Sequence, residues 1–187
     1  QEMIEVVDSL EDRLVLIDEA YVDFADYSLS CDAIKRNNVI VLRTLSKAFG
    51  LAGARVGYIV SNRKFVKIFR SIIQSPYPIS TLSLAIASGV LANADQVKQT
   101  IKSVRRERER VFARLSKIDG IKIFRSDANF IFIEAGKNYQ AISKTLHSNR
   151  IVVKLLGNIS NHKGCMRITI GTREMNDKYL KCIEQII

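Results

Sequence analysis

Lys47 lies in the run Arg43-Thr44-Leu45-Ser46-Lys47-Ala48-Phe49-Gly50-Leu51-Ala52-Gly53-Ala54-Arg55, among groups that suit a phosphate. Thr44 and Ser46 offer hydroxyls and Arg55 a guanidinium, while Gly50 and Gly53 permit tight turns and close approach of a ligand to the backbone. A lone lysine is ordinarily a surface charge. In this company it is expected to serve as a Schiff-base nucleophile, an amine that attacks a carbonyl carbon. Asp18 is the second residue of interest: it ends the apolar run Leu14-Val15-Leu16-Ile17 and precedes Glu19-Ala20-Tyr21. A carboxylate closing a buried strand is costly unless a cation or donors meet it, so it either caps a turn or holds a ligand. Arg167, inside the apolar run Met166-Arg167-Ile168-Thr169-Ile170, is either one half of a buried pair or an anion clamp.

Such residues need a scaffold, and the pattern supplies one. Leu14–Ile17, Val39–Leu42 and Val56–Val60 read as strands, the first apolar on both faces as a buried parallel strand is. Between and after them come helical or irregular stretches, the helix around Phe65–Ile73 closing before Ser75-Pro76. Alternation of this kind predicts an α/β fold with an open, mostly parallel sheet, whose ligands sit beyond the carboxyl ends of the strands. Leu82 to Ile118 reads as one or two helices, with Val97, Ile101, Val104, Val111, Leu115 and Ile118 on one stripe and Arg108 in the skipped position. The charged run Arg105–Arg110 is expected to be mainly a solvated face. After Asp119-Gly120 the order becomes ββαββα: strands at Ile121–Phe124, Phe130–Ile133, Ile151–Val153 and Met166–Ile170, a helix from Tyr139 to Asn149, and a closing helix capped by Asn176. The expected division is therefore residues 1–100 and a small α+β domain over 101–187.

Composition excludes several classes. With 187 residues, 47% hydrophobic and 26% charged, the chain can bury roughly 70% of its unfolded surface without disulfides. Only 9 Gly and 2 Pro rule out collagen-like or Pro/Gly-rich material. Cys31, Cys165 and Cys182 are an odd set without metal-ligand spacing, which indicates a reducing, cytoplasmic setting and no metal. The stretch Ser71 to Ala94 is uncharged but broken by Pro76, Pro78 and Gln74, so no membrane span is expected. The formal charge of +10 attracts polyanions, yet no basic–aromatic interleaving or groove-reading motif accompanies it. A basic nucleic-acid-binding domain is the weaker alternative.

Asp18-x-x-Tyr21, Thr44-x-Ser46-Lys47 and the downstream Arg55 together resemble the active-site signature of fold-type I pyridoxal-phosphate aminotransferases. Val15–Tyr21, Arg43–Gly53, Tyr77-Pro78-Ile79-Ser80 and Met166–Thr172 are similar, within that superfamily, to the histidinol-phosphate aminotransferase family. The likeness runs from about Leu14 to the C-terminus. It implies that Lys47 binds the cofactor aldehyde and later shuttles a proton, that Asp18 faces the pyridine nitrogen, and that Tyr21 meets the phenolic oxygen. It also implies that Thr44, Ser46 and Arg55 hold the cofactor phosphate, and that Arg167 clamps the substrate α-carboxylate. Lys154 stands where family members commonly carry an arginine and would meet a substrate phosphate as a point charge. The implied fold is the C-terminal part of a cofactor-binding large domain, then the small domain. The implied reaction is transamination of histidinol phosphate with 2-oxoglutarate, in histidine biosynthesis, by a homodimer that engages neither nucleic acid nor membrane. Threonine-phosphate decarboxylase-like and aromatic aminotransferase-like relatives use the same Asp, Lys and Arg set. The resemblance leaves out everything before the Asp18 strand, so the chain reads as a C-terminal fragment, inactive by itself.

Overall fold

Three short strands order the first half of the chain. The computed structural model describes residues 2–186 and separates into two compact units, one up to Lys98 and one from Gln99 onward. In the first, β1 (Val15–Asp18), β2 (Val39–Thr44) and β3 (Gly57–Val60) form a sheet in the order β1-β2-β3. β1 and β2 are parallel, with Val15 opposite Val39 and Asp18 opposite Leu42. β2 and β3 are antiparallel, with Val41 opposite Val60 and Thr44 opposite Gly57. The sheet is therefore mixed, which corrects the mostly parallel sheet expected from the alternation of segments. A parallel return needs a long crossover, usually a helix. Residues 45–56 instead fold into the Lys47 turn and a 3-10 turn at Ala52–Ala54, which leads the chain straight back alongside β2.

The two faces of this sheet are covered unequally. Val15, Ile17, Val39, Val41 and Val60 pack with Ile4 and Val7 of α1 (Glu2–Asp8) and with Leu29 and Ala33 beside α2 (Ser30–Ala33). On the opposite face Leu16 is 60% exposed, so β1 alternates where its composition read as buried on both sides. The described residues cover this second face only in part, since Ile40 of β2 on the same side is buried at 5% exposure. Asn62 starts α3 (Arg63–Ile68) by accepting from the Phe65 amide at 2.9 Å. That helix widens into a π-turn at Phe69–Ile73. Ser80 caps α4 (Thr81–Ala92), and a break at Asn93 precedes α5 (Ala94–Leu115), so the helical stretch is two helices. No described helix is long and apolar enough to cross a membrane.

The second unit joins β4 (Lys122–Phe124), β5 (Phe130–Glu134), β6 (Lys154–Ile159) and β7 (His162–Thr169) in the antiparallel order β4-β5-β7-β6. α6 (Tyr139–Ser148) and α7 (Arg173–Glu184) complete the sequence β4-β5-α6-β6-β7-α7. Its core gathers Val111, Leu115, Ile131, Ile133, Met166, Ile168, Leu180 and Ile183. Three expectations are corrected here. Residues 151–153 lie outside any strand, and β6 runs over the more polar Lys154–Ile159 instead. β7 starts at His162 because Glu134 holds its polar end: the Lys163 amide donates to Oε1 at 2.9 Å, and His162 Nδ1 lies 2.8 Å from Oε2. α7 is capped by Thr172, which accepts from the Met175 amide. Asn176 is buried within the helix, bonded to both backbone groups of Gly171 and to Glu107.

Nor is the charged run of α5 simply solvated. Glu107 and Arg108 are buried, at 6% and 5% exposure. Arg108 donates to the Ala128 carbonyl at 2.9 Å. Arg110 meets Glu107 at 2.7 Å and Asp177 at 2.6 Å. A helical period counts charges as outward-facing, whereas fully partnered ions can be taken inward.

Candidate active site

β1 and β2 end side by side, and each hands its chain to a loop that carries candidate residues. Asp18 closes β1 with its side chain exposed, and its Oδ1 accepts from the Ala20 amide at 2.9 Å. It shares a sheet face with Leu42 and Thr44 of β2 and Ile59 of β3, as the register requires. Over that face lies an open cleft of 840 Å³ bounded on its far side by the Phe69–Ile73 π-turn. Its lining mixes apolar walls (Leu42, Ile59, Phe69, Ile73) with the Asp18 carboxylate, the Thr44 hydroxyl and the cations Arg43 and Arg70, which suits a flat, partly apolar ligand that carries negative charge.

The segment after β2 is tightly built. Thr44 Oγ1 lies 2.8 Å from Ser46 Oγ and accepts from the Ser46 amide at 3.0 Å. The Leu45 and Val56 side chains are buried, and the Leu45 amide bonds the Val56 carbonyl at 3.0 Å, extending the β2–β3 ladder past its last pair. Within the loop that these anchors close, Lys47 is exposed. The Gly50 amide returns to the Lys47 carbonyl at 3.2 Å, and Gly50 takes φ +69°, so glycine is needed there. Gly53 has no such requirement, but Gly57 does: a Cβ on it would sit 2.9 Å from the Arg43 carbonyl. Arg55 has φ +55°, an uncommon left-handed setting for a side chain this large, and its guanidinium reaches the Ala52 carbonyl at 3.1 Å.

The two loops meet where the candidate lysine and tyrosine face each other. Lys47 Nζ lies over the Tyr21 ring, 5.0 Å from its centroid, a cation–π distance. Asp18, Tyr21, Thr44, Ser46, Lys47 and Arg55 thus all belong to the first unit, Asp18 and Thr44 as the last residues of adjacent strands and the others on the loops those strands feed. Lys154 and Arg167 belong to the second unit, where they are cross-strand partners on β6 and β7. The Arg167 guanidinium stands 4.9 Å from the Phe130 ring centroid, and its Nε is buried with no partner among the described residues.

Sequence reasoning assigned nothing to Glu19, Asp23 and Arg43, which form a half-buried network between the same loops. The available signal was placement, since Glu19 directly follows Asp18 and Arg43 directly precedes Thr44.

Comparison with known proteins places this geometry in context. Residues 1–183 match the family described as aminotransferase class I and II. A histidinol-phosphate aminotransferase of Ruminiclostridium cellulolyticum is 37% identical over 175 residues, covering 94% of this chain and 48% of the relative. One from Archaeoglobus fulgidus is 32% identical over 188 residues, covering 99% and 56%. Among solved structures, histidinol-phosphate aminotransferase from Sinorhizobium meliloti in complex with pyridoxal-5'-phosphate aligns with a TM-score of 0.83 at 27% identity, covering 99% of this chain and 52% of that one. L-threonine-O-3-phosphate decarboxylase from Porphyromonas gingivalis shares the fold, with a TM-score of 0.81 at 22% identity and coverage of 98% and 58%. The chain spans about half the length of the curated relatives it matches.

Proposed function

The chain belongs to the class I and II aminotransferase family, and from that premise we propose that it carries part of the site of a pyridoxal-phosphate-dependent transamination between histidinol phosphate and 2-oxoglutarate. The observation that carries the reading is the placement of the Lys47 amine over the Tyr21 ring, beside the hydroxyl pair of Thr44 and Ser46. This donor set suits the cofactor: a carboxylate for a ring N–H, a phenol, a primary amine, and two hydroxyls with a guanidinium for a phosphate.

Pyridoxal phosphate, when bound, supplies an electron sink for the pair left behind as a proton leaves the substrate α-carbon. The protein's part is to hold that sink and move the proton. Asp18 keeps a proton on the pyridine nitrogen by accepting its hydrogen bond. Tyr21 donates to the phenolic oxygen. Thr44, Ser46 and Arg55 bind the phosphate, Arg55 as a charged fork. Lys47 would hold the cofactor through its aldehyde carbon and, as a free amine, would carry the proton between the substrate α-carbon and cofactor C4′. Arg167 takes the α-carboxylate that both amino donor and oxo-acid acceptor present, and Lys154 the phosphate of the donor.

The first unit is then the C-terminal part of a cofactor-binding large domain and the second the small domain. A cytoplasmic homodimer, engaging neither nucleic acid nor membrane, is the setting we propose. The deciding experiment supplies the protein, at its full natural length, with histidinol phosphate and 2-oxoglutarate and measures glutamate. Carbon dioxide release from threonine phosphate, or preferential use of aromatic amino acids, would replace the proposed substrate with that of a sister branch.

A further inference from the structure

Two loops carry the candidate cofactor residues, and one buried ion pair ties those loops together. Glu19 is 8% exposed and follows Asp18. One of its oxygens accepts from the Leu29 amide at 2.6 Å. The other accepts from the Ser28 hydroxyl at 2.7 Å and from Arg43 Nη1 at 3.1 Å. The same guanidinium reaches Asp23 Oδ1 at 3.0 Å through Nη2. Arg43 immediately precedes Thr44, and the Glu19 amide itself bonds the Leu42 carbonyl at 2.9 Å. Side-chain clasp and backbone bond therefore close at the same place, where β1 and β2 release their loops.

We infer that Glu19 and Arg43 are positioning residues for the cofactor site proposed above, on which this role rests. Neither is among the groups assigned above to cofactor or substrate. Their pair fixes the spacing between the Asp18–Tyr21 segment and the Thr44–Lys47 segment, so the nitrogen-facing carboxylate, the phosphate hydroxyls and the lysine amine stand in register before the cofactor arrives. Arginine is required for geometry as well as charge. Its planar fork reaches Glu19 and Asp23 in two directions at once, which a lysine's point charge does not reproduce. Groups that orient a site through its primary residues tune ligand affinity by about ten- to a hundredfold in metal centres, and a comparable scale applies here.

The test uses Glu19→Gln and Arg43→Lys in the full-length protein, both conservative enough to keep the fold. Glu19→Gln retains an acceptor for the Leu29 amide but loses the charge that faces Arg43. Cofactor affinity is read by spectral titration, with thermal melting of the cofactor-free protein alongside. Backbone amide exchange at Ala20 and Ser46, whose amides bond Asp18 and Thr44, is read without cofactor. The expected result is a dissociation constant raised about tenfold or more in both variants, with faster exchange at both amides. A folded variant whose affinity changes by less than about threefold overturns the role, whatever its melting point, because a mere brace would lower stability and leave binding intact. Borohydride treatment of the wild type separates this from failure of the site itself. A missing pyridoxyl group on Lys47 in the wild type overturns the cofactor site and the positioning role together. Its presence beside unchanged variants overturns the role alone.

Discussion

Lys154 on β6 and Arg167 on β7 stand directly opposite one another, two like charges on the same face of an antiparallel ladder. Such a pair repels at close range and costs on the order of 0.2–1 kcal/mol. It also makes a doubly cationic point suited to an anion. Lys154→Gln should therefore stabilise the second unit by about that amount, read as a raised unfolding midpoint. The same substitution should raise KM for the phosphorylated amino donor. A KM equal to wild type would detach Lys154 from the substrate phosphate.

Arg167→Ala should raise KM for amino donor and oxo-acid acceptor alike, since both present an α-carboxylate to the same guanidinium. Arg167→Lys should fall between, keeping the charge and losing the fork. If only one substrate suffers, Arg167 serves a different group.

Glu107 supplies a prediction about pH. The Arg110 guanidinium holds its carboxyl below the usual carboxylate range despite the opposing effect of burial, and Asn176 adds a further hydrogen bond. A carboxyl depressed in the folded state contributes stability at pH values above its unfolded titration, and that contribution disappears as pH falls through the folded value. Wild type should thus lose stability on acidification below about pH 4.5 more steeply than Glu107→Gln. Near neutral pH the variant should be less stable by roughly 1–3 kcal/mol, the scale of a lost charged hydrogen bond. Parallel acid melting curves for the two proteins would contradict the assignment of Glu107 as a buried tie between α5 and α7.

At Arg55 backbone and side chain pull in opposite directions. Its left-handed φ of +55° suits glycine, while its guanidinium is the proposed phosphate fork. Arg55→Gly should melt no lower than wild type, yet bind pyridoxal phosphate about tenfold or more weakly, as the loss of a charged hydrogen bond implies. Cofactor affinity equal to wild type would remove Arg55 from the phosphate site.

How far the sequence discloses all this depends on the range of the interaction. Val39–Thr44 is legible as a strand because its β-branched run has no polar interruption before Arg43. Thr44 and Ser46 are legible as neighbours because a threonine hydroxyl readily accepts from the amide two residues on, the local turn that Thr44 and Ser46 form. The direction of β3 is not legible, since an apolar run reads alike whichever way it pairs, and only the turn chemistry of residues 45–56 decides. His162–Gly164 escapes as strand because the carboxylate that secures it, Glu134, lies on another strand. The burial of Glu107 and Arg108 inside an apparently solvated run has the same cause: their partners Asn176 and Ala128 are far along the chain. The motif names Lys47 and Tyr21, but only the fold brings them within 5.0 Å.

The most direct measurement concerns Lys47. The full-length protein is incubated with pyridoxal phosphate, reduced with borohydride, digested, and its peptides weighed by mass spectrometry. A pyridoxyl group should appear on Lys47, and Lys47→Ala should lose both that group and transamination. A stable adduct on another lysine with Lys47 unmodified, or normal turnover by Lys47→Ala, would contradict the assignment of Lys47 as the cofactor's lysine.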